Sequence, residues 1–266
     1  MRITILGCGG AGGVPLIGPD WGHCDPAEPR NRRRRVSILV ETPDGEDGPL
    51  LVDTSPDLRE QLLDARVGRI GAVLYTHQHA DHVHGIDDLR SLNRRQKAVI
   101  PAYGTAATIA AITKRFAYVF EPPPIRADGG LRFFKPCLEA RSFDPGESFQ
   151  AAGIAVVPFE QDHGYSTSIG FRFGAAAYST DVVNLSEAAF ATLAGIRLWI
   201  VDCLGRSPFP THAHLGRTLQ WLARVKPERA VLTHMGPELD YRQLCAELPA
   251  GVEPGYDGMV IDTEER

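Results

Sequence analysis

The chain has 266 residues with hydrophobic and charged fractions of 43% and 23%, the proportions of an ordinary globular protein long enough to bury a substantial core. Its formal net charge of −5 with neutral histidines argues against a general nucleic-acid binder, since phosphate backbones select basic surfaces. Five scattered cysteines without a C-x-x-C pair argue against a disulfide framework or a four-cysteine zinc site and suit a reducing cytoplasm.

Ile3 to Leu6 reads as a buried strand that ends in a glycine-rich loop, Gly7 to Gly13. Met1 to Cys8 loosely suggests a lipoprotein signal, but its apolar run is shorter than the roughly 7–15 residues such a signal needs. No segment approaches the ~20 apolar residues of a membrane helix, so no membrane partner is expected. Gly7-x-Gly9-x-x-Gly12 matches the dinucleotide-binding fingerprint. That motif needs a helix at its third glycine. Here Gly13, Pro15, Gly18 and Pro19 follow, so a loop walling a site is the better reading.

The basic run Arg30-Asn31-Arg32-Arg33-Arg34-Arg35 leads into a strand, Val36 to Glu41. Such a run can grip phosphates or lie solvated with internal ion pairs, and the second reading is favoured. Pro43-Asp44-Gly45 turns the chain into the strand Leu50 to Asp53, as a hairpin. Ser55-Pro56 has the form of an N-cap with proline at the first helical position, opening a helix toward Leu63. Ala72 to Tyr75 is a short apolar strand. Helices at Asp87–Arg95 and Thr105–Phe116 flank a strand at Val99–Tyr103, and Pro122-Pro123-Pro124 breaks the chain.

The second half continues the pattern. Strands are expected at Leu138–Phe143, Ile154–Phe159, Ser168–Phe173, Ala176–Ser179, Leu198–Asp202 and Ala230–Thr233, with helices at Glu187–Leu193 and Leu215–Val225. No low-complexity tract or long linker divides residues 1–266, so one domain is expected. Strands outnumber helices and helices recur between them, which suggests an α+β sandwich of two sheets with helices outside.

The chemistry concentrates immediately after the strand Ala72–Tyr75, in His77-Gln78-His79-Ala80-Asp81-His82. Residues two apart in extended chain point the same way, so His77 and His79 can reach one metal. Asp81 and His82 come as the chain turns and can face a second metal nearby. Nitrogen and carboxylate donors suit zinc, manganese or iron. Further donors stand at expected strand tips: His163, Asp181 and His234. A lone histidine at a strand end is usually structural. Three such tips together with the cluster point to metal ligands, because rigid sheet edges are where sites are built.

This composite motif resembles the metallo-β-lactamase superfamily. The resemblance covers nearly the whole chain and implies an αβ/βα sandwich, two mixed sheets with a dinuclear site at their shared edge. It implies that His77, His79 and His163 hold one divalent ion and that Asp81, His82 and His234 hold the other, with Asp181 bridging and Asp53 orienting the site from behind. Within the superfamily the chain is similar to the phosphoribosyl 1,2-cyclic phosphate phosphodiesterase (PhnP-like) branch. The shared elements are Gly9-Gly10-Ala11, Gly85, Leu89-Arg90, His212, Leu215 and Tyr256-Asp257-Gly258-Met259. Two departures stand out. That branch carries an N-terminal cysteine cluster which, with a late histidine, binds a structural zinc. Here Asp20-Trp21-Gly22-His23-Cys24 offers one cysteine, and Pro237 stands at the place of the late histidine, so a structural zinc is not expected.

Two divalent cations facing two carboxylates and a bridging hydroxide leave a small net positive charge, which attracts an anion. Metal-bound hydroxide is a strong nucleophile at neutral pH, and paired metals suit in-line phosphoryl displacement. His212, matching the extra histidine of the phosphodiesterase branch, is the candidate proton donor or phosphate-orienting group. With Asp81 it forms the expected catalytic pair. His84, Arg90 and His214 are candidate substrate contacts, each with a plain surface role as its alternative. The expected partner is a small phosphorylated metabolite, with a homodimer open and nucleic acid disfavoured. Only seventeen residues separate His163 from Asp181, too few for the long basic arm of a tRNA-processing nuclease. The resemblance also turns the reading away from β-lactamase chemistry, because lactamases carry Cys or lack a bridging carboxylate at the place of Asp181. A thioester or lactone hydrolase, or a non-catalytic metal-binding carrier of the same fold, stays open.

Overall fold

Strict alternation sorts the apolar residues of the first half onto two faces. Ile3, Ile5, Ile38, Val40, Leu50, Val52, Ala72 and Leu74 join one buried cluster, whereas Leu6, Leu39, Leu51 and Val73 join another. The structure, a computed structural model, describes residues 1–43, 45, 47–122 and 136–263. Its first half comprises β1 (Arg2–Gly7), β2 (Ser37–Glu41), β3 (Leu50–Val52), α1 (Leu58–Asp64), β4 (Ala72–Leu74), α2 (Ala80–Val83), α3 (Leu89–Gln96), β5 (Ile100–Gly104), α4 (Ala106–Arg115), α5 (Ala117–Phe120) and β6 (Leu138–Ser142). The second comprises β7 (Phe149–Ala151), β8 (Ile154–Asp162), β9 (Thr167–Phe173), β10 (Ala176–Ser179), α6 (Glu187–Leu193), β11 (Leu198–Asp202), α7 (Leu215–Val225), β12 (Arg229–Thr233), α8 (Tyr241–Glu247), β13 (Val252–Pro254) and β14 (Val260–Asp262).

The strands form two seven-stranded sheets, ordered β14-β1-β2-β3-β4-β5-β6 and β13-β12-β11-β10-β9-β8-β7. Both are mixed. In the first, β3 to β6 run parallel and the other pairs are antiparallel; in the second, β10 to β13 run parallel. The first apolar cluster fills the space between the sheets, where Ile5, Val40 and Val52 join Phe171, Ala177 and Val201. The second lies beneath Leu58 and Leu62 of α1, Leu89 and Leu92 of α3 and Ile112 of α4. Helices α6, α7 and α8 contribute Leu193, Trp221, Leu222 and Leu244 to the first cluster. This is the αβ/βα sandwich that the motif implies. Among the described residues no helix is long and apolar enough to cross a membrane.

Local details depart from the expected ones. The α1 N-cap is Asp57 rather than Ser55, and Asp57 makes no side-chain cap bond. Its carboxylate instead accepts the Arg35 N–H at 2.9 Å and faces the Arg35 guanidinium at 3.1 Å. The Ser55 hydroxyl accepts the Asp57 N–H and donates to buried Gln61, so Ser-Pro shapes the approach to the helix and does not begin it. The hairpin of β2 and β3 forms in antiparallel register, although Asp44 of its expected turn lies outside the described residues. Pro123 and Pro124 do likewise. The dinucleotide fingerprint indeed lacks its helix: after β1 the next helical turn is at Pro29–Asn31.

Parallel strands place their carboxyl ends at one sheet edge, where α/β proteins bind ligands. The edge shared by the two sheets receives Asp53 after β3, His77 beyond β4, Asp181 beyond β10, Asp202 ending β11 and His234 after β12.

Candidate metal centre

Three of these strand-end residues adopt left-handed backbone: Asp53 at φ 62°, Asp181 at φ 56° and His234 at φ 56°. Aspartate and histidine are among the few side chains found there, at a cost of about 1–3 kcal/mol each. The conformation turns the chain sharply at the tip of its strand, and the buried side chain faces the sheet edge. Such strain persists only where surrounding structure holds it, and it concentrates at functional sites.

His77, His79, His163 and Asp181 present one group of converging donor atoms, and Asp81, His82, Asp181 and His234 present a second. Asp181 belongs to both. Its Oδ1 lies 3.8 Å from His77 Nε2 and 3.6 Å from His163 Nε2. Its Oδ2 lies 3.1 Å from His82 Nε2 and 3.4 Å from His234 Nε2. His79 Nδ1 is 3.3 Å from His163 Nε2, and Asp81 Oδ2 is 3.2 Å from His82 Nε2. Ligands about 2.0–2.2 Å from a tetrahedral ion stand roughly 3.3–3.6 Å from one another. These spacings are those of coordination edges.

The unused donor atoms support the same reading. Nε2 of His77, His82 and His234 is buried with no hydrogen-bond partner, a condition that native proteins rarely leave unresolved. The opposite ring nitrogen is engaged in His82, His77 and His163, whereas that of His234 has no hydrogen-bond partner. His82 Nδ1 meets Asp53 Oδ2 at 2.7 Å, His77 Nδ1 meets the Thr76 hydroxyl at 3.0 Å, and His163 Nδ1 meets the Thr211 carbonyl at 2.7 Å. Metal-ligating histidines are oriented in this way. Asp53 is fully buried and also accepts the Thr76 N–H at 2.8 Å.

Charge completes the test of fit. Burial lowers the pKa of His77, His79 and His163, so these rings are neutral, as ligands must be. Burial would also lower His234, but Asp181, Asp81 and Asp202 push it up to about 9. His82 is raised for a similar reason, burial being outweighed by Asp181, Asp81 and Asp53. Without cations, the carboxylates therefore recruit protons onto two of their neighbours. A site that charges its own histidines is one that cations of the same sign can fill.

The glycine loop walls the site, since a Cβ on Gly10 would lie 3.4 Å from the His234 ring. His212 lies beside the cluster. It is buried, its ring stacks on His234 at 4.5 Å, and its Nε2 is 3.8 Å from Asp181 Oδ1. Its Nδ1 is 3.0 Å from Asp202 Oδ2. Asp202 is fully buried and also accepts the Val182 N–H at 2.9 Å. Sequence reasoning missed Asp202, although it ends an apolar strand just as Asp53 does. That position was the available signal.

The three expected substrate contacts are not brought into either donor group. His84 is exposed, with its ring set edge-on to Phe116 at 6.0 Å between centroids. Arg90 is turned to Asp87 at 3.0 Å and lies over Tyr118, because the helix directs it along its own surface. His214 sits at the N-cap of α7, where its carbonyl accepts the Thr218 N–H. The basic run is only partly the solvated stretch expected of it. Arg34 and Arg35 pair with Asp64 and Asp57, but Arg33 is 2% exposed.

A family model described as a beta-lactamase superfamily domain matches residues 49–235. The chain belongs to the metallo-β-lactamase superfamily. Within it, the chain falls in the PhnP branch. It is 31% identical to a solved structure described as a new diphosphatase from the PhnP family, with a TM-score of 0.87, covering 99% of this chain and 98% of that one. It is also 30% identical to an octanoyltransferase of Porphyromonas gingivalis over 100% of this chain but 52% of that protein. The chain thus spans about half the length of that relative. A zinc-bound PqqB from Methylobacterium extorquens shares the superfamily fold at a TM-score of 0.74 and 21% identity, covering 99% of this chain and 100% of that one.

Proposed function

We propose that this chain is a dinuclear metal-dependent phosphodiesterase acting on a small phosphorylated metabolite, a cyclic ribose phosphate or a nucleotide, in the cytoplasm. The observation that carries the reading is the pair of donor groups sharing Asp181, with the His212–Asp202 pair set against the same carboxylate. The likeness to a PhnP-family diphosphatase over nearly the full length of both chains supports phosphoryl chemistry.

Zinc or manganese ions bound there would polarise a phosphoryl oxygen and lower the pKa of a bound water to about 7. The remaining work falls to the chain. His77, His79 and His163 hold one side of the site and Asp81, His82 and His234 the other, with Asp181 fixing their separation. Asp81 is the least buried carboxylate of the cluster, with its side chain 11% exposed. Of the cluster's carboxylates it is the one solvent reaches, and it would accept a hydrogen bond from an entering water and orient it. His212 carries a proton on Nε2 toward the leaving oxygen, while Asp202 holds Nδ1 and stabilises the charged ring, the arrangement by which a carboxylate orients a catalytic histidine.

The experiment is turnover by the metal-loaded protein of an aryl phosphodiester, a cyclic ribose phosphate and a nucleoside diphosphate, each followed by phosphorus NMR. Hydrolysis of any of them at a rate that falls on His212→Ala is the expected result. A fully loaded protein inert toward all of them would sink the reading. A second reading rests on the octanoyltransferase likeness: a thioester or lactone hydrolase on the same fold. An octanoyl thioester in the same assay selects it. Stoichiometric binding without turnover selects a metal-binding carrier.

A further inference from the structure

Arg33 is buried at 2% exposure between the N-terminal loop and the segment that follows His234. Its Nη2 donates to the Leu239 carbonyl at 2.6 Å and to Asn31 Oδ1 at 3.4 Å. Its Nη1 donates to the Gly236 carbonyl at 3.2 Å and lies 3.9 Å from Cys24 Sγ. Cys24 itself approaches the Pro237 and Leu239 carbonyls, both at 3.5 Å. The His23 N–H donates to the Pro237 carbonyl at 2.8 Å, and Gly22, at φ 54°, permits the approach: a Cβ there would stand 2.8 Å from that oxygen. The neighbouring joints are buried too. Asn31 Nδ2 donates to Asp240 Oδ2 at 2.6 Å, and its Oδ1 accepts the Tyr241 N–H at 2.8 Å.

The same segment fixes a proposed ligand. His234 stands two residues before Gly236. Met235 N–H donates to the Cys8 carbonyl, and Gly236 N–H donates to the Leu204 carbonyl. The left-handed turn at His234 is thus held by hydrogen bonds on Met235 and Gly236, and the outermost hold is the guanidinium. Burying a charge is costly unless it is hydrogen-bonded; here both terminal nitrogens are bonded and Nε is not. A guanidinium is always charged and presents its donors in a rigid fork, so it can bind two carbonyls from one loop at once. A lysine offers a point charge that cannot reproduce the fork.

We propose that Arg33 is a positioning residue for His234. Its guanidinium, a permanent organic cation, lies against Cys24 Sγ and ties the Gly236 and Leu239 carbonyls together. This rests on the reading of His234 as a metal ligand. Two consequences follow. The segment after His234 is held in a metal-independent way, and the ion on the His234 side depends on Arg33 while the His77 side does not.

The test is metal content and zinc titration of the full chain, with amide exchange of residues 235–241 in the metal-stripped protein. Wild type is expected to bind two ions, and Cys24→Ser also two. Arg33→Lys is expected to weaken one of the two by about tenfold or more, leave the other unchanged and speed exchange in 235–241. Arg33→Met is expected to retain one ion; if it fails to fold, Arg33→Lys and Cys24→Ser decide the matter. Two ions of wild-type affinity in Arg33→Lys, or a third wild-type ion lost in Cys24→Ser, would overturn the assignment. A wild-type chain that binds no metal would instead overturn the metal centre itself.

Discussion

His212 and Asp202 are joined at 3.0 Å from Nδ1 to Oδ2, and the other ring nitrogen faces Asp181 Oδ1 at 3.8 Å. One histidine therefore connects a fully buried carboxylate at the end of β11 to the carboxylate shared by both donor groups.

This link sets the first prediction. His212→Ala keeps its metal and loses about 10²–10⁴-fold in phosphodiester kcat, the usual worth of a positioned proton donor. Asp202→Asn presents an amide to Nδ1 and favours the wrong tautomer, so kcat falls steeply while KM stays near wild type. Steady-state kinetics with metal analysis of each variant checks this. Unchanged turnover in His212→Ala removes the residue from the mechanism.

Asp181 faces one donor group with each oxygen. Asp181→Ala is therefore expected to lose both ions, whereas His163→Ala loses one. Elemental analysis after dialysis distinguishes them. Retention of one tightly held ion in Asp181→Ala would show that the carboxylate is not shared.

Asp53 touches no common donor atom of the cluster and acts through His82. Removing it in Asp53→Ala frees the His82 ring to turn and leaves the Thr76 N–H unpaired. The expected loss is about 10–100-fold in affinity for one ion, with about 1–3 kcal/mol of stability from the buried donor. Calorimetric titration and a thermal melt read the two effects separately.

Asp257 gives the pH dependence. Burial raises its carboxyl to about 6, against the partial opposition of the Arg34 and Cys8 N–H groups that it accepts. Between about pH 4 and 6 the folded chain binds more protons at this site than the unfolded chain does, so its contribution to stability falls as pH rises through that window. The span corresponds to about 2–3 kcal/mol. Asp257→Asn cannot titrate, so the stability difference between wild type and variant should shift by that amount from pH 4 to pH 6. Parallel denaturation curves would refute it.

Much of the fold could be read directly. Short apolar runs located β2, β3, β4 and β9, and the helices Glu187–Leu193 and Leu215–Val225 have their expected bounds. Three short strands escaped notice: β7, β13 and β14 each include a polar residue or proline and lack the continuous apolar run that marks the equally short β3 and β4. The site divides in the same way. The tight cluster His77–His82 announces metal because so many donors in six residues have no other economical explanation. His84 and Arg90 lie beside it in sequence, yet the turn of the chain carries them outward.

The sequence by itself determined the donor types, their places at strand tips and hence the superfamily. It did so because metal ligation demands particular atoms, and strand periodicity shows where they emerge. Only the tertiary structure decided which atoms meet. The Asp202–His212 bond, the two-sided presentation of Asp181 and the burial of Arg33 against Gly236 each join segments distant in the chain or depend on left-handed turns at strand ends. Local composition does not encode such encounters. They arise when the two sheets pack and bring the carboxyl ends of their parallel strands to one edge.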